Sequence, residues 1–358
     1  METHSFNRNG GLTLVPATGF GELSNQLKIE LEQKGSNEGK RILVDIVCPT
    51  YGHHPSGEPF LELTKEHIGG HDVIILTSGP GTERMITETL FLLGYVSARR
   101  PSRITLITCY FPLSRSDKDE GGKRLALPPL IIELFKKSAQ EKLDRIISFN
   151  LHSPQVVMAG NTGLITPLSL GRRILTKTIE DAIEFVKGTN RKICLYYPDD
   201  GSAENFEDAT TSVCEKTGVI LPKIFGVKRR KDSNSCHLKG IHGDIGLLNG
   251  SLVIGMDDEG ATMGTSIEGA GCLKEQFRIY QYWSAVIHPV LCGNGCQRLT
   301  DPQCAIDRTY CTNTIPTEHR PELEPLIASG RLRVISLIDD LTNIIYYHHE
   351  DTSIRELR

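Results

Sequence analysis

The sequence predicts an α/β protein of two successive halves, each built on a mainly parallel sheet. Three observations carry that expectation. Short, β-branched apolar runs alternate along the whole chain with stretches of helical spacing. The 358 residues suggest two domains at about 150 residues each. With 39% hydrophobic residues, the chain has enough apolar material for real cores, which excludes a disordered tail or a small stapled scaffold.

In chain order, strands are expected at Leu12–Val15, Arg41–Cys48, Asp72–Thr77, Arg103–Cys109 and Asp144–Phe149 in the first half. The second half offers Ile193–Tyr197, Val219–Phe225, Leu252–Met256, Ala285–His288 and Arg333–Leu337. Helical spacing covers Thr82–Ser97 behind an N-capping Thr82, and Leu127–Ser138, with two prolines at its start. It recurs over Leu168–Val186, Ala203–Thr217 and Thr265–Phe277. The last helix carries Leu337, Ile338, Leu341, Ile344 and Ile345 on one face, so it packs back onto an existing core. The halves meet near Thr166, after Asn161-Thr162-Gly163, giving domains at 1–166, joined by 337–358, and 167–336.

A formal net charge of −4 excludes the broad cationic surface expected of nucleic-acid or anionic-lipid binding, so any positive site is local. Met1–Gly10 is polar, and no run approaches the roughly 18 apolar residues of a membrane span. These features predict a soluble, cytoplasmic protein. Ten cysteines sit mostly singly in apolar runs, as buried thiols do in a reducing compartment. The cluster Cys292, Cys296, Cys304 and Cys311 has gaps of three, seven and six residues, which fit unpaired thiols better than a zinc site.

In a parallel sheet, ligands bind where strands end and helices begin, so five loops matter. Asp257-Asp258-Glu259 followed by Thr262-Met263-Gly264-Thr265 offers carboxylates for sugar hydroxyls or magnesium, then backbone N–H groups for a phosphate at a helix start. An acidic turn with a helix cap reads equally well. Lys228-Arg229-Arg230-Lys231, after the strand ending near Phe225, is either a polyphosphate clamp or a solvated turn. Phe111–Lys118 leaves the strand ending at Cys109. Asn150-Leu151-His152-Ser153 and Pro198-Asp199-Asp200-Gly201-Ser202 leave two others. An imidazole and a carboxylate at separate strand ends can share a divalent cation. Equally, His152 can be merely hydrogen-bonded, and Asp199 can cap the helix that starts near Ser202.

No G-x-x-x-x-G-K-[ST] loop, no G-x-G-x-x-G at a helix start and no G-x-S-x-G elbow occurs. P-loop, standard dinucleotide and esterase chemistries are therefore disfavoured. Gly79-Pro80-Gly81 reads as a simple loop rather than a phosphate turn.

Taken in order, these loops resemble those of the ribose-phosphate diphosphokinase (phosphoribosyl pyrophosphate synthetase) family. Tyr110-Phe111-Pro112-Leu113-Ser114-Arg115-Ser116-Asp117 is similar to the family's Tyr-Phe-x-Tyr-Ala-Arg-Gln-Asp, Asn150-Leu151-His152 to Asp-Leu-His, and Tyr197-Pro198-Asp199 to Ser-Pro-Asp. Lys228-Arg229-Arg230 resembles the start of its catalytic loop, and Ser56-Gly57-Glu58 the end of its adenine-binding hairpin. Leu12–Val15 with the helix from Glu22, His288-Pro289 and Asn313-Thr314-Ile315-Pro316 match further landmarks.

The resemblance implies two tandem phosphoribosyltransferase-type domains that transfer the β,γ-diphosphate of ATP to the anomeric hydroxyl of ribose 5-phosphate. It gives Lys228 and Arg230 the charge on the transferring group, and gives His152 and Asp199 the magnesium (Mg2+) on the ATP phosphates. Glu58, Arg115, Ser116, Asp117 and His152 would surround ATP, across a subunit boundary of a homo-oligomer assembled as hexamers or dimer units. Asp257 and Asp258 would meet the ribose hydroxyls, and Ala261, Thr262, Met263, Gly264 and Thr265 would hold the 5-phosphate.

This sequence departs from the family at Ala261-Thr262-Met263-Gly264-Thr265, where Asp-Thr-Gly-Gly-Thr is usual, and at Ser116 and Asn150. Met263 brings a bulky side chain where glycine permits close backbone approach. Ribose 5-phosphate is the first expectation for the acceptor, with another ribosyl phosphate such as ADP-ribose as the alternative. A non-catalytic subunit that tunes an active synthetase is a further reading. A phosphoribosyltransferase is the third, opposed by the tandem domains and the Lys-Arg-Arg segment.

Overall fold

The computed structural model describes residues 9–64, 67–119, 121–160, 163–230, 236–318 and 320–354. The polar start Met1–Arg8, the junction pair Asn161-Thr162 and the end of the basic segment, Lys231–Ser235, lie outside the described residues.

The chain forms two compact units: 1–168 with 314–319 and 337–358, and 169–313 with 320–336. The first contains β1 (Leu12–Pro16), α1 (Gly21–Asn37), β2 (Val44–Ile46), the hairpin β3 (Pro49–His53) and β4 (Pro59–Leu63), and β5 (Asp72–Thr77). It continues with α2 (Glu83–Ala98), β6 (Arg103–Thr108), α3 (Pro128–Ser138), β7 (Leu143–Phe149), α4 (Gln155–Ala159) and β8 (Ile165–Leu168). Six strands pair in the order β2-β1-β5-β6-β7-β8, all parallel. The central strand β5 is buried along its full length, which explains why its sequence is an unbroken apolar run rather than an alternation. Thr82 starts α2 as the spacing predicts: its side chain accepts a hydrogen bond from Met85 N at 3.2 Å, a cap worth about 1 kcal/mol.

The second unit contains α5 (Gly171–Val186), β9 (Ile193–Tyr197), α6 (Asp200–Thr217), β10 (Lys223–Arg230), β11 (Cys236–Gly243), β12 (Leu252–Glu259) and α7 (Gly264–Phe277). Then follow β13 (Gln281–His288), α8 (Gly295–Thr300), β14 (Arg308–Thr312), α9 (Glu324–Ala328) and β15 (Leu332–Ile335). Seven strands pair as β11-β10-β9-β12-β13-β14-β15, with β10 and β11 the antiparallel pair. The final helix, α10 (Ile338–His349), returns to the first unit and packs on α1, where Tyr346 Oη donates to Glu38 at 3.0 Å.

Several expectations need correction. The basic segment is not a loop: β10 runs on through Lys228 and Arg230, because Lys228 pairs with Leu238 and Arg230 with Cys236 across a ribbon. The strand expected to end at Met256 extends to Glu259, since Asp257 and Glu259 are in register with Val286 and His288 of β13. The junction at Thr166 falls inside β8, an edge strand, so the helix expected from Leu168 begins at Gly171. Ala285–His288 is the end of a longer β13, and β14, built around Cys311, has no counterpart in the expected strands. Among the four clustered cysteines, Cys292 is exposed, Cys304 half-buried, and Cys296 and Cys311 buried. Among the described residues no helix is long and apolar enough to cross a membrane.

Candidate active site

In the first unit the polar residues of interest follow β6 and β7, which are neighbours in the sheet. After β6 the chain is held down by Cys109 N–H to Thr77 O at 2.9 Å, Tyr110 N–H to Ser78 Oγ at 3.2 Å and Gly79 N–H to Tyr110 O at 2.7 Å. A Cβ on Gly79 would stand 2.5 Å from Tyr110 Cδ1, so the Gly79-Pro80-Gly81 turn serves as a close-packed buttress for the Tyr110–Asp117 segment. Buried Phe111 anchors the segment in the core, Leu113 turns it with φ +59°, and Ser116 N–H bonds back to Leu113 O at 3.0 Å. The result exposes Arg115 and Ser116, half-buries Asp117, and leaves Ser114 buried beneath them. One strand over, Asn150 takes φ +36° while its N–H bonds to Leu168 O at 2.8 Å, and His152 emerges exposed. Asparagine tolerates that left-handed backbone better than most residues.

The sheet thus brings Arg115, Ser116, Asp117 and His152 to the carboxyl ends of adjacent strands. Among the described residues Glu58 makes no direct bond to them: it lies exposed at the hairpin turn, where it accepts from Ser56 Oγ at 3.0 Å.

In the second unit, β9 and β12 are neighbours, so Asp199 and the Asp257-Asp258 pair also share one end of a sheet. Asp199 caps α6, its Oδ1 accepting from Ser202 N at 2.9 Å. Ser202 Oγ in turn donates to Met256 O at 2.6 Å, tying that helix start to the strand bearing the aspartates. Asp258 N–H bonds to Asp257 Oδ1 at 3.0 Å. Beneath them Tyr282 is buried, and burial first, then Tyr196 and Asp257, pushes its phenol well above the usual range, so it stays neutral.

The turn from Gly260 to Gly264 has an ordered polarity. The carbonyls of Gly260 and Ala261 accept from Leu291 N at 2.8 Å and Cys292 N at 3.1 Å, and that of Thr262 accepts from Arg298 Nη1 at 3.1 Å. Met263 stands at the N-cap with φ +57°, with no side-chain cap on α7. Its side chain, 3% exposed, belongs to the core of this unit, packed beside Gly260 and Val286. The expectation of a bulky group intruding on the turn is therefore corrected: the left-handed backbone sends Met263 inward. Thr262 is exposed, and Ala261, Gly264 and Thr265 are half-buried.

Arg298, which donates to Thr262 O, lies 36 residues away on the separate helix α8. No local spacing signals that contact. Among the described residues no group of three or more His, Cys, Asp or Glu is placed to hold a metal ion.

These features define a class: an α/β protein of two units built on mainly parallel sheets, with carboxylates and polar turns at strand ends. No protein-family model matches the chain. It is 26% identical over 310 residues to a ribose-phosphate pyrophosphokinase of Rhodopirellula baltica, covering 86% of this chain and 89% of that protein. Identity is 24% over 319 residues with the Aquifex aeolicus protein of the same name, covering 88% and 91%. It is 23% over 321 residues with ribose-phosphate pyrophosphokinase 3 of Saccharomyces cerevisiae, covering 89% and 91%. The crystal structure of phosphoribosylpyrophosphate synthetase from Mycobacterium smegmatis shares the fold, with a TM-score of 0.73 at 24% identity over 95% of this chain and 99% of that one. Over most of its length the chain is thus similar, at 23–26% identity, to proteins named ribose-phosphate pyrophosphokinase.

Proposed function

We propose that this protein transfers the β,γ-diphosphate of ATP to the anomeric hydroxyl of ribose 5-phosphate, releasing AMP and phosphoribosyl diphosphate. The observation that carries this reading is the Gly260–Gly264 turn: its carbonyls are engaged behind it, directly after the Asp257-Asp258 pair. A sugar phosphate fits such a combination, with carboxylates accepting from ribose hydroxyls and helix-start N–H groups donating to phosphate. Relatives that share most of its length carry the name of this reaction.

In the transfer, the anomeric oxygen attacks the β-phosphorus, the bond from that phosphorus to the α,β-bridging oxygen breaks, and AMP leaves with the electron pair. The anomeric proton passes to solvent. Such chemistry needs in-line placement and charge neutralisation rather than a covalent intermediate. Lys228 and Arg230 supply the neutralising charge, while Arg115, Ser116 and Asp117, with Glu58 from the hairpin, hold ATP. Magnesium, when bound, neutralises the ATP phosphates. Of its candidate holders, His152 in the first unit is exposed and Asp199 in the second is half-buried, both residue types that can hold a divalent cation. Asp257 and Asp258 take the ribose hydroxyls, and Ala261, Thr262, Met263, Gly264 and Thr265 take the 5-phosphate. A homo-oligomer in the cytoplasm completes the proposal.

Incubation with Mg-ATP and ribose 5-phosphate should release AMP and phosphoribosyl diphosphate in equal amounts. If neither ribose 5-phosphate, ribose 1,5-bisphosphate nor ADP-ribose elicits AMP, the reading is wrong.

A further inference from the structure

We propose that Arg84 is a positioning residue for ATP: it sets the angle of the β3–β4 hairpin and, with it, the place of Glu58. The inference deepens the functional reading above and rests on its assignment of Glu58 to ATP. The hairpin is a two-stranded sheet of its own, and among the described residues no backbone hydrogen bond joins it to the six-stranded sheet. Leu61 is buried in the core, with Tyr51 and Leu63 packed against it. Yet an apolar cleft of about 370 Å³ remains between β4 and α2, lined by Phe60, Leu61, Leu90, Phe91, Gly94 and Tyr95. Apolar packing is non-directional, and packing that leaves such a cleft does not fix the angle at which the hairpin stands.

Arg84, on the first turn of α2, supplies the direction. Its guanidinium carbon lies over the Tyr51 ring, 5.4 Å from the centroid, and its Nη2 donates at 3.3 Å to Thr18 Oγ1, in the loop after β1. The Thr18 hydroxyl gives its one proton to Glu88 Oε1 at 2.8 Å, so toward Arg84 it can only accept. Thr18 N–H donates to the same carboxylate oxygen, also at 2.8 Å. Glu88 is buried, 4% exposed, one turn along α2 from Arg84. A buried carboxylate without a compensating cation is costly, and the Thr18 hydroxyl links this one to the exposed guanidinium. The guanidinium is thereby held in place for the Tyr51 face, a cation–π contact that depends on orientation as the aliphatic contacts do not. Tyr51 in turn meets the His53 ring edge-on at 5.5 Å, and His53 pairs with Pro59, next to Glu58 at the turn. Arg84 therefore acts on the hairpin near its root, and Glu58 stands at its tip.

The test measures ATP binding to the full chain by calorimetry, which does not depend on turnover, together with amide hydrogen exchange. Arg84→Ala should weaken ATP at least fivefold and leave ribose 5-phosphate within twofold. It should speed exchange of the amides of residues 49–63 while those of β5 and β6 stay protected, which shows that the unit remains folded. Tyr51→Leu, which keeps apolar bulk and removes the ring face, should weaken ATP to a similar extent. The double variant should bind no more weakly than the weaker single one, since both act through one contact. In a Glu58→Ala background, Arg84→Ala should change ATP affinity less than twofold. In turnover, Arg84→Ala should raise KM for ATP and leave kcat within twofold. Unchanged ATP affinity or unchanged hairpin exchange in Arg84→Ala would overturn the inference. So would a loss that adds fully to that of Tyr51→Leu or persists undiminished without Glu58, because Arg84 would then act on ATP directly. Intact, Arg84-dependent ATP binding without AMP release would instead overturn the proposed reaction alone.

Discussion

Arg103 grips Asp72 with two nitrogens, Nε to Oδ1 at 3.0 Å and Nη2 to Oδ2, at the starts of the neighbouring strands β6 and β5. The same carboxylate accepts from His349 Nδ1 at 2.8 Å, and Arg103 also reaches His348 O and Asp351 Oδ1. This fastens the end of α10 to the sheet. Burial raises the Asp72 carboxyl, but the hydrogen bonds from His349 and Arg103 overcome it and hold the group below the usual carboxylate range. Its contribution is thus present above the unfolded value and is lost as pH falls through the lower folded one. Asp72→Asn leaves Arg103 largely buried without its main partner, and should cost about 3 kcal/mol in denaturant unfolding at pH 7. A change under 1 kcal/mol would contradict this account.

His348 predicts a second acid sensitivity. Burial, and then the Arg103 charge, lowers its imidazole to about 4, while Nε2 lies 2.7 Å from Thr105 Oγ1. Because the folded value is depressed below 6.5, stability is complete above that pH and declines as pH falls toward about 4, by about 3 kcal/mol in all. His348→Gln should lose about 1–2 kcal/mol at pH 7 yet flatten the slope between pH 6.5 and 4. An equally steep slope in the variant would refute the assignment.

Met263→Gly separates packing from ligand binding. Relief of the left-handed backbone returns about 1–2 kcal/mol, and loss of a buried side chain costs about 2–5. We expect net destabilisation of about 1–3 kcal/mol with KM for ribose 5-phosphate within threefold of wild type. A large gain in affinity would show that Met263 obstructs the turn after all.

Asp199 combines two duties that substitution can divide. Asp199→Ser keeps a capping oxygen, so stability should stay within about 0.5 kcal/mol, whereas Asp199→Ala should lose about 1 kcal/mol. Both should cut AMP release strongly if the carboxylate holds the metal. Wild-type turnover in Asp199→Ser would reduce the residue to a helix cap.

Lys228→Ala should lower kcat about 100- to 1000-fold with little change in KM for ribose 5-phosphate, as for loss of a group that meets charge only in the transition state. A pure KM effect would move Lys228 to ground-state binding.

Much of this was legible before any coordinates. Strand and helix alternate because buried parallel strands need continuous apolar runs and their crossover helices need one apolar face; Thr82 and the prolines of α3 announce their helix starts locally. The strand ends carrying Arg115, His152, Asp199 and Asp257 could be named for the same reason, since each follows an apolar run.

What the one-dimensional pattern left open was decided by partners distant in sequence. The basic segment became strand only because residues from Cys236 onward pair with it, and the edge strand β8 is too short to stand out from the helix it precedes. The inward course of Met263, the engaged carbonyls of Gly260–Thr262 and the guanidinium of Arg298 on Gly264 arise from packing between chain segments some 30 residues apart, and the Asp72–His349 contact joins residues 277 apart. Local sequence determines which conformations a segment favours; long-range hydrogen bonding and burial select among them, because an unpaired buried polar group costs more than most local preferences are worth.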